Sequence, residues 1–168
     1  MIKKLICAAC IAATIGCGGG KNTQTDAADT DSVTNIPAFN ADSAYAYIEA
    51  QCNFGARVPG TEAHRLCGDY LVEWFKEQGL SVQEQTGVTT TCDGKRMNIR
   101  NIIASLEPER PERILICAHW DCRPWADSDP DPENHRKPVM GANDGASGVA
   151  VMMESARQIK AQRPEVGI

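Results

Sequence analysis

The stretch ICAHWDCRPWADSDPDPENHRKPVMGANDGASG, residues 116–148, crowds together side chains that can hold a metal or move a proton. His119 and Asp121 close a short apolar run bounded by charges, ERILICAHWD. Two residues apart on a strand, they point to the same side. A carboxylate there fixes the imidazole's tautomer, or both groups reach one metal. The bland reading of the pair is a solvated His and Asp at a strand end. Asp144 sits in Gly141-Ala142-Asn143-Asp144-Gly145-Ala146-Ser147-Gly148, where loop becomes helix. Small neighbours let the backbone approach closely, and an aspartate there is an N-cap or a metal ligand. The two roles are compatible, because one oxygen can accept an amide while the other holds an ion.

The remaining polar groups of this region do less. Asp127, Asp129, Asp131, Glu133 and Asn134 alternate in the manner of a Ca²⁺ loop, but an EF-hand loop needs glycine at its sixth position and this chain has Pro132. Pro130 and Pro132 stiffen the segment, which reads as a solvated rim loop. His64 and His135 have no neighbours that suggest a ligand role. No nucleophile elbow, Walker loop, dinucleotide fingerprint or His-Glu-x-x-His motif occurs.

The elements that must position these groups follow from patterning. Residues 40–55 read as a helix, capped by Asn40 or Asp42 and stopped by Gly55. Thr61 caps a second helix whose Leu66, Tyr70, Leu71, Trp74 and Phe75 recur at helical spacing up to Gly79. The β-branched runs LSVQEQTGVTTT and KRMNIRNIIASL flank Asp93-Gly94, a hairpin signal. ERILICAHWD reads as a buried strand, so its His119 and Asp121 fall at the C-terminal edge of a sheet, where open α/β sheets bind ligands. A third helix is expected from Gly145, with Val149, Met152, Met153, Ala156 and Ile159 on one face. The order predicts an α/β domain, a mixed sheet sandwiched by helices.

The 168 residues suffice for one domain, and a net charge of −5 without a basic stripe argues against a nucleic-acid partner. Met1-Ile2-Lys3-Lys4 and the apolar residues 5–15 form a signal too short to span a bilayer. Residues 1–16 then read as a lipoprotein signal peptide ending before Cys17, although Thr14 is an unusual residue for such a site. An ordinary secretory signal is the rival reading, and both export the protein to the periplasm or the outer membrane. Residues 17–35, rich in Gly, Thr, Asp and Ser, read as a flexible tether from a lipid anchor on Cys17. Residues 36–168 form the folded part. Of eight cysteines, Cys52, Cys67, Cys92, Cys117 and Cys122 fall in it. Export makes one or two disulfides plausible and leaves at least one thiol over.

ARVPGT, NIRNII and the block from ILICAHWD to MMESAR together resemble the zinc exopeptidase family, which holds aminopeptidases and animal-type glutaminyl cyclases. The likeness runs from about Phe39 onward and is strongest to exported bacterial glutaminyl-peptide cyclotransferases. It implies an α/β sandwich with Zn²⁺ at the C-terminal sheet edge, and peptide or protein N-termini as substrates. By resemblance, Asp144 is the aspartate on the catalytic zinc. His119 matches the histidine that holds a second zinc in aminopeptidases and lies near the single zinc in cyclases, and Asp121 matches its supporting carboxylate. The family's general-base glutamate is expected beyond Ile168, so no catalytic residue is assigned within this chain. The chain is accordingly expected to be an N-terminal portion with an incomplete sheet, inactive alone. A zinc aminopeptidase and a non-catalytic peptide-binding surface lipoprotein are the alternatives to the cyclase.

Overall fold

The computed structural model describes residues 36–168. The signal 1–16, Cys17 and the tether 17–35 lie outside the described residues.

Helix α1 runs Ala41–Cys52, and its cap is Asn40, whose Oδ1 accepts the Ser43 amide at 2.9 Å. Helix α2 runs Glu62–Glu77, capped by Thr61, whose Oγ1 accepts the His64 amide at 3.3 Å. Each cap satisfies an amide that the first helical turn leaves without a carbonyl. Gly79, at φ +79°, ends α2 in the left-handed region, and its amide returns to the Lys76 carbonyl at 2.8 Å. Cys67, Leu71, Trp74 and Phe75 are buried on one face of α2. They form the core with Trp120, Val149 and Met153.

Strands β1 (Ser81–Thr90) and β2 (Arg96–Ser105) pair antiparallel, Ser81 opposite Ser105 and Thr90 opposite Arg96. The turn forms around Asp93-Gly94 as expected, with Gly94 at φ +81°. Val82, Ile102 and Ala104 pack against the helical core, while Ile99 and Ile103, offset by one residue, are exposed on the other face. Helix α3 (Gly148–Gln162) packs against α1 and brings Val149, Ala150 and Met153 into the interior.

Two expectations are corrected. The run at residues 112–121 is not a buried strand. Ile114, Leu115 and Ile116 are exposed at 53, 86 and 40%. Only its start is paired: the Ile114 amide donates to the Gly167 carbonyl and the Gly167 amide to the Glu112 carbonyl, both at 2.8 Å. Gly167 and Ile168 wedge between this start and the end of β2, where Leu106 and Ile168 exchange two backbone bonds of 2.8 and 2.9 Å. From Leu115 to Ala118 no amide finds a backbone partner among the described residues. Apolar β-branched composition favours a strand, but a strand exists only where a neighbour completes its ladder. Helix α3, in turn, starts at Gly148 and not at Gly145, because Asp144 (φ −94°, ψ 90°) and Gly145 (φ +123°) are not helical.

The link between α1 and α3 is electrostatic. Glu154 is fully buried, and its carboxylate accepts from the Asn40 amide (3.0 Å), from Arg157 Nε and Nη2 (2.8 and 2.9 Å) and from Gln158 Nε2 (2.7 Å). Arg157 leads in pulling its pKa from 4.5 to about 2, against the opposing effect of burial. A depressed carboxylate stabilises the fold fully above its unfolded value and loses that contribution as pH falls toward the folded one. E154Q is therefore expected to unfold more easily at neutral pH, by up to about 3 kcal/mol. Thermal melts from pH 7 downward should show the gap to the wild type closing between pH 4.5 and about 2.

Candidate metal site

The His119-Trp120-Asp121 tripeptide alternates sides as its sequence suggests, even without a sheet neighbour. Trp120 turns inward, 9% exposed, while His119 and Asp121 stay about half exposed. The indole Nε1 donates to the Arg100 carbonyl at 3.3 Å, and its ring stacks on His64 with centroids 4.0 Å apart. Gly68 of α2 makes room for it, because a Cβ there would stand 2.9 Å from the indole and 2.7 Å from Arg100 Nη1. Burial holds the His64 imidazole below its ordinary pKa, the nearby Asp121 charge pulling the other way. His64 thus has a place in the packing of the site, which the sequence did not signal.

His119 faces a carboxylate at each ring nitrogen. Its Nδ1 lies 3.2 Å from the Asp121 carbonyl and 3.4 Å from Asp121 Oδ1, and its Nε2 lies 2.9 Å from Asp144 Oδ1. With Nδ1–H directed at Asp121, the Nε2 lone pair points at another acceptor. Two acceptors this close need a cation between or beside them, a proton or a metal. The 2.9 Å separation is a hydrogen-bond length, and two atoms on one tetrahedral zinc, with bonds of about 2.0 Å, would stand about 3.3 Å apart, so a shared metal needs the two groups to part by a few tenths of an ångström. His119 and Asp144 are thus the pair that could hold zinc, and Asp121 fits the carboxylate that orients the imidazole from behind. Among the described residues no three His, Cys, Asp or Glu side chains gather around one point, so these two leave further coordination positions open.

Asp144 is brought to His119 by a glycine-dependent turn. Gly141, at φ +67°, opens it, and the Ala146 amide closes it on the Gly141 carbonyl at 3.2 Å. From α1, Gln51 Nε2 donates to the Ala146 carbonyl at 3.1 Å. Gly145 lies against His119, where a Cβ would stand 2.5 Å from the His119 carbonyl oxygen and 2.8 Å from Nδ1. The N-cap of α3 is Ser147, without a side-chain cap bond, so the capping role read for Asp144 is not realised. Its carboxylate is free for His119 and solvent.

Arg57 is the other residue that the sequence did not reveal. It is fully buried, and its guanidinium donates to the carbonyls of Gly55, Trp120, Met140 and Gly141 at 3.2, 3.3, 2.9 and 2.7 Å. A single arginine in a Gly-Pro turn carries no periodicity or spacing that would mark it.

The acidic loop behaves as a rim. Asp129 Oδ1 accepts the Asp131 amide (2.9 Å) and Asn134 Nδ2 (3.1 Å), and Asp131 Oδ1 accepts the Glu133 amide (3.0 Å). The His135 Nε2 meets the Asp129 carbonyl at 2.7 Å. The loop's oxygens are spent on its own turns. All five cysteines of the described region are free thiols, so the disulfides thought plausible do not form there. Burial pushes the Cys67 thiol up to about 12.

Residues 101–168 match Peptidase family M28. The resemblance to the zinc exopeptidases is thereby shown. A glutaminyl cyclase of Tannerella forsythia is 52% identical, with a TM-score of 0.77 over 79% of this chain and 45% of that one. A Zn-dependent exopeptidase of Parabacteroides distasonis is 51% identical, with a TM-score of 0.78 over 80% and 46%. The alkaline phosphatase isozyme conversion protein of Escherichia coli is 32% identical over 124 residues, 68% of this chain and 36% of that protein. The chain thus spans just under half the length of these solved structures and about a third of the curated relative. Their fold confirms the α/β class read from the sequence.

The close approach of Gly145 to His119 yields a prediction. G145A places a methyl group against the His119 carbonyl at a positive φ, so it should cost at least about 2 kcal/mol in chemical denaturation. It should also move the His119 imidazole resonances, because the clash lies on that residue.

Proposed function

We propose that the full-length form of this protein is a zinc-dependent glutaminyl-peptide cyclotransferase, which converts an N-terminal glutamine to pyroglutamate and releases ammonia. The 52% identity to the T. forsythia glutaminyl cyclase carries this reading, joined to the approach of His119 Nε2 to Asp144 Oδ1. In it, Asp144 would hold the zinc and His119 would lie beside it, as the resemblance to the cyclases implies. Asp121 holds Nδ1–H, keeping the Nε2 lone pair on the metal side. Bound zinc would supply Lewis-acid polarisation of the γ-carboxamide carbonyl; ring closure joins the α-amine nitrogen to that carbonyl carbon, breaks its bond to the amide nitrogen, and passes the amine proton to the departing ammonia. Trp120, packed on α2 and stacked on its His64, backs the loop that bears His119. The base that moves the proton is not assigned to any residue described here.

A full-length version, spanning the whole length of the cyclases it resembles, is expected to convert Gln-peptides with loss of ammonia, read by mass spectrometry, whereas residues 1–168 alone are expected to be inactive. D144A should abolish turnover and zinc retention, and D121N should weaken zinc binding about 10–100-fold, the usual effect of removing a ligand-orienting carboxylate. The peptidase reading has its own support in the P. distasonis exopeptidase and the M28 match. Two zincs per chain with release of free N-terminal residues, and no pyroglutamate, would decide for it.

Export and anchoring belong to the same proposal. They rest on Lys3-Lys4, the apolar residues 5–15 and Cys17. C17A is expected to move the protein from the membrane fraction to the soluble periplasm and to abolish metabolic labelling by palmitate. Unchanged fractionation and labelling would refute the lipid anchor.

A further inference from the structure

We infer that Arg57 is a positioning residue which sets the distance between His119 and Asp144, an inference that rests on the zinc reading above. The guanidinium is wholly buried, and among the described residues no carboxylate pairs with it. Its charge is met by peptide dipoles instead, four carbonyls drawn from three separate segments. Gly55 belongs to its own turn, Trp120 to the His119–Asp121 segment, and Met140 and Gly141 to the mouth of the Asp144 turn.

The backbone of Arg57 adds a fifth tie, its carbonyl accepting the Cys122 amide at 3.1 Å. Trp120 O and Cys122 N flank Asp121, so the chain is gripped on both sides of the residue that orients His119. The other arm of the fork grips Gly141, three residues before Asp144, where the left-handed turn begins. A second, weaker tie runs alongside, Cys122 Sγ donating to Met140 O at 3.2 Å. Nε, Nη1 and Nη2 lie in one rigid plane, so their acceptors cannot slide independently. Shifting either segment by an ångström would strand a buried N–H of a charged group. Lysine keeps the charge but not the plane, and it can satisfy one segment without fixing the other.

The test uses R57K beside G79A, which strains the left-handed turn at the end of α2 eleven residues beyond Gly68, both in a full-length version and at temperatures equally far below their melting points. Zinc affinity is read by competition with a chelating dye, and His119 ring nitrogen shifts are read by NMR on the metal-free protein. R57K is expected to weaken zinc about 10–100-fold, the range for groups that orient a ligand, and to move the His119 shifts. G79A should change neither. Equal behaviour of the two variants in both readouts would overturn the inference and leave Arg57 a purely structural residue. A wild-type protein that binds no zinc would sink the zinc reading alone, because the metal-free NMR comparison still judges Arg57. If R57K does not fold, R57A is titrated with guanidinium, with methylammonium as control. Recovery of the His119 shifts by guanidinium alone supports the positioning role, and absence of any rescue counts against it.

Discussion

Two pieces of backbone meet at Gly145 with no room between them. The Asp144 turn lies against the His119 carbonyl so closely that any side chain at position 145 would force them apart. Much of the site follows from this contact. Gly145 must take φ +123°, which bars the helix from starting before Gly148 and leaves the Asp144 carboxylate outside the helical hydrogen bonding. Gly148 continues the contact, since a Cβ there would come within 3.1 Å of the Ala118 methyl. Gln51 from α1 ties the far end of the turn. A helix that began at Gly145 would have satisfied more backbone groups, but its first turn could not have offered a carboxylate to an imidazole 2.9 Å away.

The burial of Arg57 belongs to the same economy of backbone groups. A charged group removed from water is costly unless every donor is used. Carbonyls of irregular segments, which have no ladder of their own, are natural partners. Arg57 is the one donor to the Trp120 carbonyl among the described residues, and it adds a second donor to the Met140 and Gly141 carbonyls, which also accept from Cys122 Sγ and the Ala146 amide. Each side therefore meets the other's need, and the site's two loops acquire fixed positions without regular secondary structure.

How far the sequence disclosed this depends on range. The caps at Asn40 and Thr61, the apolar stripe of α2 and the Asp93-Gly94 turn are local, written within a few residues, and all appear where the pattern puts them. The strand expected at 112–121 failed because pairing is a property of two segments. Ile114 to Ala118 has the composition of a strand, while a backbone partner reaches only Ile114. His119 and Asp121 share a side because alternation is local, and that much was legible. That Asp144 would reach His119, and that Arg57 would bridge the segments bearing them, are contacts across 25 and more than 60 residues. No periodicity encodes such contacts. Only the resemblance placed Asp144 on the zinc and His119 on or near it; nothing in the spacing of the sequence joined them.

The two nitrogens of His119 carry the argument for the proposed metal against a plain salt bridge. An imidazole held between two carboxylates as a cation would be a surface ion pair, with all three side chains about half exposed, worth little to the fold. Such a pair does not call for a glycine-dependent turn, a buried arginine fork and a glutamine brace around it. The precision lies in the backbone behind the side chains, which holds Asp144 toward one nitrogen while Asp121 occupies the other. Fixing which nitrogen keeps its lone pair, and what that lone pair faces, is a requirement of metal coordination. A solvent-exposed ion pair has no such requirement.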